Sequence, residues 1–226
     1  MMSSVMSDLV SLLFPMNCYA CGEPLVAGER CICTVCRNDL PKLDNQDLIR
    51  SKFDGAVVLK YAFAYLIYRK SGLVQSLMHH LKYRDRPELG GILGNWFGAE
   101  LIEKGLDKKW DIILPVPLHP SKLRQRGYNQ SDYFAQGLSE VMEISWSNRV
   151  LRRVRKNTSQ TSKGRWERHI NVDSIFSVQD KTAIRGKRVL LVDDILTTGA
   201  TLQACSLSMV DSGVKEISIA AIALAQ

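Results

Sequence analysis

The first stretch of the chain, Met1 to Phe14, has no Lys or Arg ahead of its apolar residues and no small-residue cleavage site. An export signal needs both, so export is not expected. No run approaches the roughly 18 or more apolar residues of a membrane-spanning helix, so the chain is expected to be soluble and cytoplasmic. Internal repeats and low-complexity tracts are also missing. Acidic residues are absent from Pro115 to Ser131, and Glu167 is the only one between Arg149 and Arg168. Among the histidines, His79, His80 and His119 have no metal-ligand spacing and read as structural or solvent-exposed.

What is present fits a globular protein. At 226 residues, with 46% hydrophobic and 23% charged, the chain can bury one full core with a small appendage to spare. Val5, Leu9, Leu12 and Leu13 fall at helical spacing and predict a docking helix. The net charge of +7 favours anionic ligands without choosing between phosphates, pyrophosphate and nucleic acid. Its placement says more: Lys122, Arg124 and Arg126 fall in one acid-free segment, and eight Lys or Arg lie between Arg149 and Arg168. Either segment taken alone is also compatible with a solvated basic surface.

Five of the six cysteines lie between Cys18 and Cys36. In a chain with no export signal such clustering points to metal rather than disulfides. Cys18-x-x-Cys21 and Cys33-x-x-Cys36 can each bring two thiolates to one tetrahedral ion, which predicts a four-sulfur zinc site. Cys31 could replace Cys33, although Cys33 keeps the spacing. With sulfur at every ligand position the metal would be structural and would have no hydrolytic chemistry. Cys205 reads as a small buried apolar residue.

The polar stretch from Lys42 to Lys52 has neither helical nor strand periodicity and reads as a linker. The expected division is an N-terminal helix and zinc-binding module over 1–50 and a second domain over 51–226. That second domain would comprise a hood region at 51–104 and a core at 105–226. Val57 to Tyr65 reads as a strand and Ser71 to Tyr83 as a helix. A Gly-rich helical patch follows around Leu89 to Glu103. Asp111 to Pro117 reads as a buried strand ending in a Pro-bounded loop, with a helix near Ser131 to Val141. Downstream, a strand at Arg188 to Val192, a polar loop at Asp193 to Thr201, a helix at Leu202 to Asp211 and the apolar run Ile217 to Leu224 make a βαβ unit. This alternation predicts an α/β fold with a mainly parallel sheet flanked by helices, and ligands outside the carboxyl ends of its strands.

The segment VLLVDDILTTGAT, Val189 to Thr201, carries the strongest chemical signal. A sugar with vicinal hydroxyls needs paired acceptors, and Asp193 and Asp194 can accept from O2 and O3 of a ribose, directly or through magnesium. A 5'-phosphate needs convergent donors, which the amides and hydroxyls of Thr197, Thr198, Gly199, Ala200 and Thr201 supply at the positive end of a helix. The plain alternative is an Asp-rich turn with Thr201 as helix N-cap.

At every position this segment resembles the phosphoribosyl pyrophosphate motif of type I phosphoribosyltransferases. The run Pro115 to Gln130 is similar to a signature of the ComF family, whose members join a small zinc module to a phosphoribosyltransferase-like domain. Leu81-Lys-Tyr-Arg84, Arg126-Gly-Tyr-Asn-Gln130 and the stretch from Gln160 to Asn171 resemble that family's landmarks too. The resemblance implies that the loop Pro117 to Arg124 meets pyrophosphate, with Lys122, Arg124 and Arg126 neutralising its oxygens. It also implies that Arg152 to Arg168 is a mobile loop closing over the site, with Lys156, Gln160, Lys163 and Arg165 as candidates.

Two functions follow from the resemblance. One is a phosphoribosyltransferase, of the glycosyltransferase class, acting on magnesium-bound phosphoribosyl pyrophosphate with an acceptor chosen by the hood. Glutamine-dependent amidotransfer is not expected, since no nucleophilic cysteine domain stands at the N-terminus. The other is a non-catalytic, competence-associated protein that senses a ligand or binds single-stranded DNA, with Tyr128, Trp146 or Trp166 stacking on bases. A protein of the competence machinery would be a further partner.

Overall fold

A computed structural model describes residues 16–53, 57–154 and 175–226. The expected docking helix and the candidates Lys156, Gln160, Lys163, Arg165 and Trp166 lie outside them.

Four apolar segments form one parallel sheet: β1 (Ala62–Tyr68), β2 (Ile112–Pro115), β5 (Arg188–Leu196) and β6 (Glu216–Ala225), in the order β1-β6-β5-β2. A separate antiparallel ribbon pairs β3 (Leu151–Arg153) with β4 (Phe176–Val178). Because side chains alternate along a strand, β5 feeds two cores. Leu190 and Val192 pack with Leu77, Leu93, Phe134 and Leu138 on one face. Val189 and Leu191 pack with Phe53, Leu202, Cys205 and Met209 on the other. Burial on both faces explains why this strand reads as a continuous apolar run.

Helices α3 (Leu73–Tyr83), α4 (Glu88–Glu103) and α6 (Gln130–Met142) cover the first face, and α7 (Ala200–Val210) covers the second. The Gly-rich patch is a helix crossing. A Cβ on Gly94 would stand 2.6 Å from the Phe134 carbonyl oxygen, so α4 and α6 approach backbone to backbone.

The stretch 42–52, expected as a linker, is structured. Ile67 N–H donates to the Pro41 carbonyl and Leu43 N–H to the Tyr65 carbonyl, so residues 41–43 cover the outer edge of β1. Helix α2 (Gln46–Arg50) follows α1 (Thr34–Asp39), its N-terminal amides capped by Asn45, and leads into a 3₁₀ turn, Ser51–Phe53. Only Ile49 and Phe53 are buried here, and two apolar anchors in so short a segment leave no periodicity to detect.

The cysteine segment shares the main core. Cys18, Ala20, Ile32, Cys36 and Leu40 cluster with Leu77 and Leu81 of α3. Ser76 Oγ donates to the Tyr19 carbonyl at 2.6 Å, Tyr19 stacks on His80 at 4.7 Å, and Arg37 lies 4.5 Å over the Trp96 ring.

The Gly94→Ala variant is expected to lose about 1–3 kcal/mol of stability in urea unfolding, the range for overpacked cores. Gly91→Ala, whose nearest obstacle is 3.9 Å away, serves as the tolerated control.

Candidate functional site

Asp193 and Asp194 stand on a strand, not in the expected polar loop. β5 continues past them to Leu196, paired with Leu224 of β6. The two carboxylates reach different neighbours, on two helices that cover the same face, α6 and α3. Asp193 Oδ1 accepts from Ser131 Oγ at 3.1 Å and from the Asp194 amide at 2.8 Å. Asp194 Oδ1 accepts from the Ile195 amide at 2.6 Å, and its Oδ2 pairs with Lys82 Nζ at 2.8 Å. Burial first, and then the neighbouring Asp194 charge, push the Asp193 carboxyl up to about 7; the Asp194 amide, Lys82 and Ser131 pull against them.

The loop after the strand is short, and α7 begins at Ala200 with Gly199 as its N-cap, so Thr201 lies inside the helix rather than capping it. Gly199 has φ +82° and offers no side chain as a cap, while Thr198 Oγ1 accepts from the Ala200 amide at 3.4 Å. A Cβ at this position would stand 3.1 Å from the Phe53 ring, so glycine is required both by backbone conformation and by space. Asp193, Thr197, Thr198, Gly199, Ala200 and Thr201 line one small cleft. The amides at the start of α7 and the hydroxyls of Thr197 and Thr198 are its donors.

Lys122, Arg124 and Arg126 lie on a short helix, α5 (Pro120–Arg126), in place of the expected loop. Pro120 at its first position and His119 Nδ1, which accepts from the Ser121 amide, start it, and Gly127 at φ +81° ends it. Lys122 and Arg124 are exposed. Arg126 turns inward: its Nη1 donates to Gln130 Oε1 at 2.8 Å, and its guanidinium lies 5.3 Å over the Tyr83 ring.

Three of the segments singled out in the sequence therefore meet. Tyr128 Oη donates to the Leu81 carbonyl at 2.6 Å, Arg126 covers Tyr83, and Lys82 reaches the acid pair. Sequence reasoning quoted Lys82 without giving it a role, and it missed Ser131. A signal for Lys82 existed: it continues the Val74, Met78 line of α3 at four-residue spacing, and both of those residues are buried. A lone cation on a buried helix face needs a buried anion opposite. Tyr128 and Trp146, considered as stacking platforms, are occupied in packing, Tyr128 against Tyr133 and Trp146 against the main core. Arg152 and Arg153, expected in a mobile loop, belong to β3.

The sulfurs of Cys18, Cys21, Cys33 and Cys36 lie within 4.8 Å of one another. Zinc–sulfur bonds of about 2.3 Å in a tetrahedron put sulfurs about 3.8 Å apart, and Cys21 and Cys33 are already at 3.9 Å. The four could hold a zinc ion. The Cys33 amide points at Cys18 Sγ and the Cys36 amide at Cys33 Sγ, as donors to thiolates would. Burial raises the Cys18 thiol, but the amides of Cys21, Cys33 and Ala20 outweigh it and bring it down to about 7. Cys31 stands outside this cluster, at φ +61°.

Residues 129–225 match the family model of the phosphoribosyl transferase domain. Over these residues the chain is similar to phosphoribosyl transferase domains. The resemblance to the ComF family also holds among curated proteins. The chain is 36% identical to competence protein F of Haemophilus influenzae over 110 residues, 48% of each chain, so the match spans about half of that relative's length. It is 25% identical to the DNA utilization protein YhgH of Escherichia coli strain K12 over 92% of this chain and 96% of that one. For competence protein ComFC of Bacillus subtilis the values are 24% identity, 87% and 78%. Among solved structures the chain is similar to glutamine phosphoribosylpyrophosphate amidotransferase from B. subtilis, at 18% identity and a TM-score of 0.44, over 65% of this chain and 30% of that one. No helix among the described residues is long and apolar enough to cross a membrane.

The raised Asp193 carboxyl gives a pH signature. Between about pH 4 and about pH 7 the unfolded chain has released this proton while the native chain still holds it, so the side chain costs increasing stability as pH rises. Asp193→Asn is therefore expected to gain stability relative to the parent protein on going from pH 4 to pH 8, by on the order of 1–3 kcal/mol. Denaturant unfolding at the two pH values reads this, and a pH-independent difference would contradict it.

Proposed function

We propose that this protein binds phosphoribosyl pyrophosphate with magnesium and transfers its phosphoribosyl group to an acceptor. The observation that carries the reading is the shared cleft, in which Asp193 and a glycine-led helix N-terminus stand side by side at the carboxyl end of a central parallel strand.

In this reading Asp193 and Asp194 hold the ribose hydroxyls, and Thr197, Thr198, Gly199, Ala200 and Thr201 hold the 5'-phosphate. Lys122, Arg124 and Arg126 neutralise the diphosphate as it leaves, aided by Lys163 and Arg165. Carboxylate oxygens are the donors that magnesium takes, and the ion would add positive charge beside the diphosphate. Fixed donors and cations stabilise the charge that grows on the leaving group, so catalysis is positional and electrostatic. The hood, 51–104, selects the acceptor, and the zinc module, 1–50, is structural. The cytoplasm is the proposed compartment.

A second reading, a non-catalytic role with single-stranded DNA or a protein of the competence machinery, is favoured by the names of the relatives and by the exposure of Lys122 and Arg124 on α5. The packing of Tyr128 and Trp146 counts against these two residues as base-stacking platforms.

Calorimetric titration with phosphoribosyl pyrophosphate and magnesium tests the first reading. Saturable binding is expected, weakened at least about a hundredfold in the folded double variant Asp193→Asn, Asp194→Asn, since each removes charge-assisted hydrogen bonds. No binding by the parent protein would overturn it and favour the second. Metal analysis should return one zinc per chain, lost in Cys36→Ser with a lowered Tm.

A further inference from the structure

We infer that Lys82 is the resident counter-cation of the acid pair: its ammonium stands against Asp194 and keeps a divalent metal from binding there until the ribose diphosphate arrives. The inference rests on the ribose-diphosphate reading for its ligand, but the geometry stands independently of that reading.

Lys82 comes from α3, in the region N-terminal to the matched domain. Its side chain is 18% exposed and that of Asp194 15%, at 2.8 Å, so this pair is shielded from solvent in a way that surface ion pairs are not. Two contacts hold the helix end that carries it. Tyr128 Oη donates to the Leu81 carbonyl, and Arg126 covers the Tyr83 ring, so the residues on both sides of Lys82 are tied to the end of α5 and the turn that follows it. The last turn of a helix also favours a cation electrostatically.

The consequence concerns charge. Two carboxylates side by side would form an attractive site for a hard divalent cation. With Lys82 in place, the three groups carry a net charge of at most −1. A free divalent ion gains little from such a site. A ligand that brings its own negative charge offers the ammonium an alternative partner, and Asp194 is then released to accept from the ribose. Lys82 is on this account a positioning residue that makes metal binding conditional on the ligand.

The test uses Mn²⁺ alone as the probe, titrated into the zinc-loaded full chain and read by electron paramagnetic resonance. The parent protein is expected to show no Mn²⁺ site at the acid pair. Lys82→Met is expected to bind Mn²⁺ at least about tenfold more tightly, as removal of a like charge a few Å away requires. Adding Asp194→Asn should abolish the gain, and Lys82→Arg, which keeps the charge, should behave as the parent. Lys82→Gln serves as the second neutral variant if Lys82→Met fails to fold. No gain in Mn²⁺ affinity in a folded neutral variant would overturn the inference, as would a gain that survives Asp194→Asn. If the Mn²⁺ pattern appears but the parent does not bind phosphoribosyl pyrophosphate, the counter-cation role stands and the ligand reading fails.

Discussion

Two carboxylates at the end of an otherwise apolar central strand impose the constraint around which this protein is arranged. Burying an acid without partners is costly, and β5 carries two in succession. Asp193 is met by Ser131 at the start of α6, and Asp194 by Lys82 at the end of α3. Those two helices must therefore end and begin beside the strand terminus. The Tyr128 hydroxyl on the Leu81 carbonyl holds them in that relation. The α4–α6 crossing at Gly94 adds a close backbone contact behind it.

The N-terminal segment belongs to the same arrangement. Cys18 and Cys36 are buried among the residues that pack on α3, so a metal that orders the four sulfurs also orders the surface against which α3 lies. The connection between module and domain contributes on the other face. It covers the edge of β1 with residues 41–43 and then brings Phe53 against Gly199 at the head of α7. One end of the candidate site thus touches Phe53, which precedes β1 in the chain, and the helix that carries Lys82 packs on the cysteine segment.

Much of this was legible in the residues themselves. The apolar runs at 189–192 and 217–224 announce buried parallel strands, and the paired cysteines announce their cluster, because both signals are local. Where β5 ends was not legible: acids normally mark a turn, and here the ladder with β6 carries the strand through them. The short helix α5 was read as a loop because its residues are mostly exposed and carry no apolar stripe. The ribbon of β3 and β4 joins segments far apart in sequence, so neither strand could be recognised alone. Ser131 was missed as a partner for the same reason, since it acquires meaning only from a carboxylate more than sixty residues away.

A crystal structure of the chain with ribose 5-phosphate tests the central claim most directly. The account predicts the phosphate over the amides that open α7, with the sugar hydroxyls against Asp193 and Asp194. A phosphate bound instead on the exposed face of α5, with the cleft at Gly199 closed by Phe53 and the acids untouched, would contradict it.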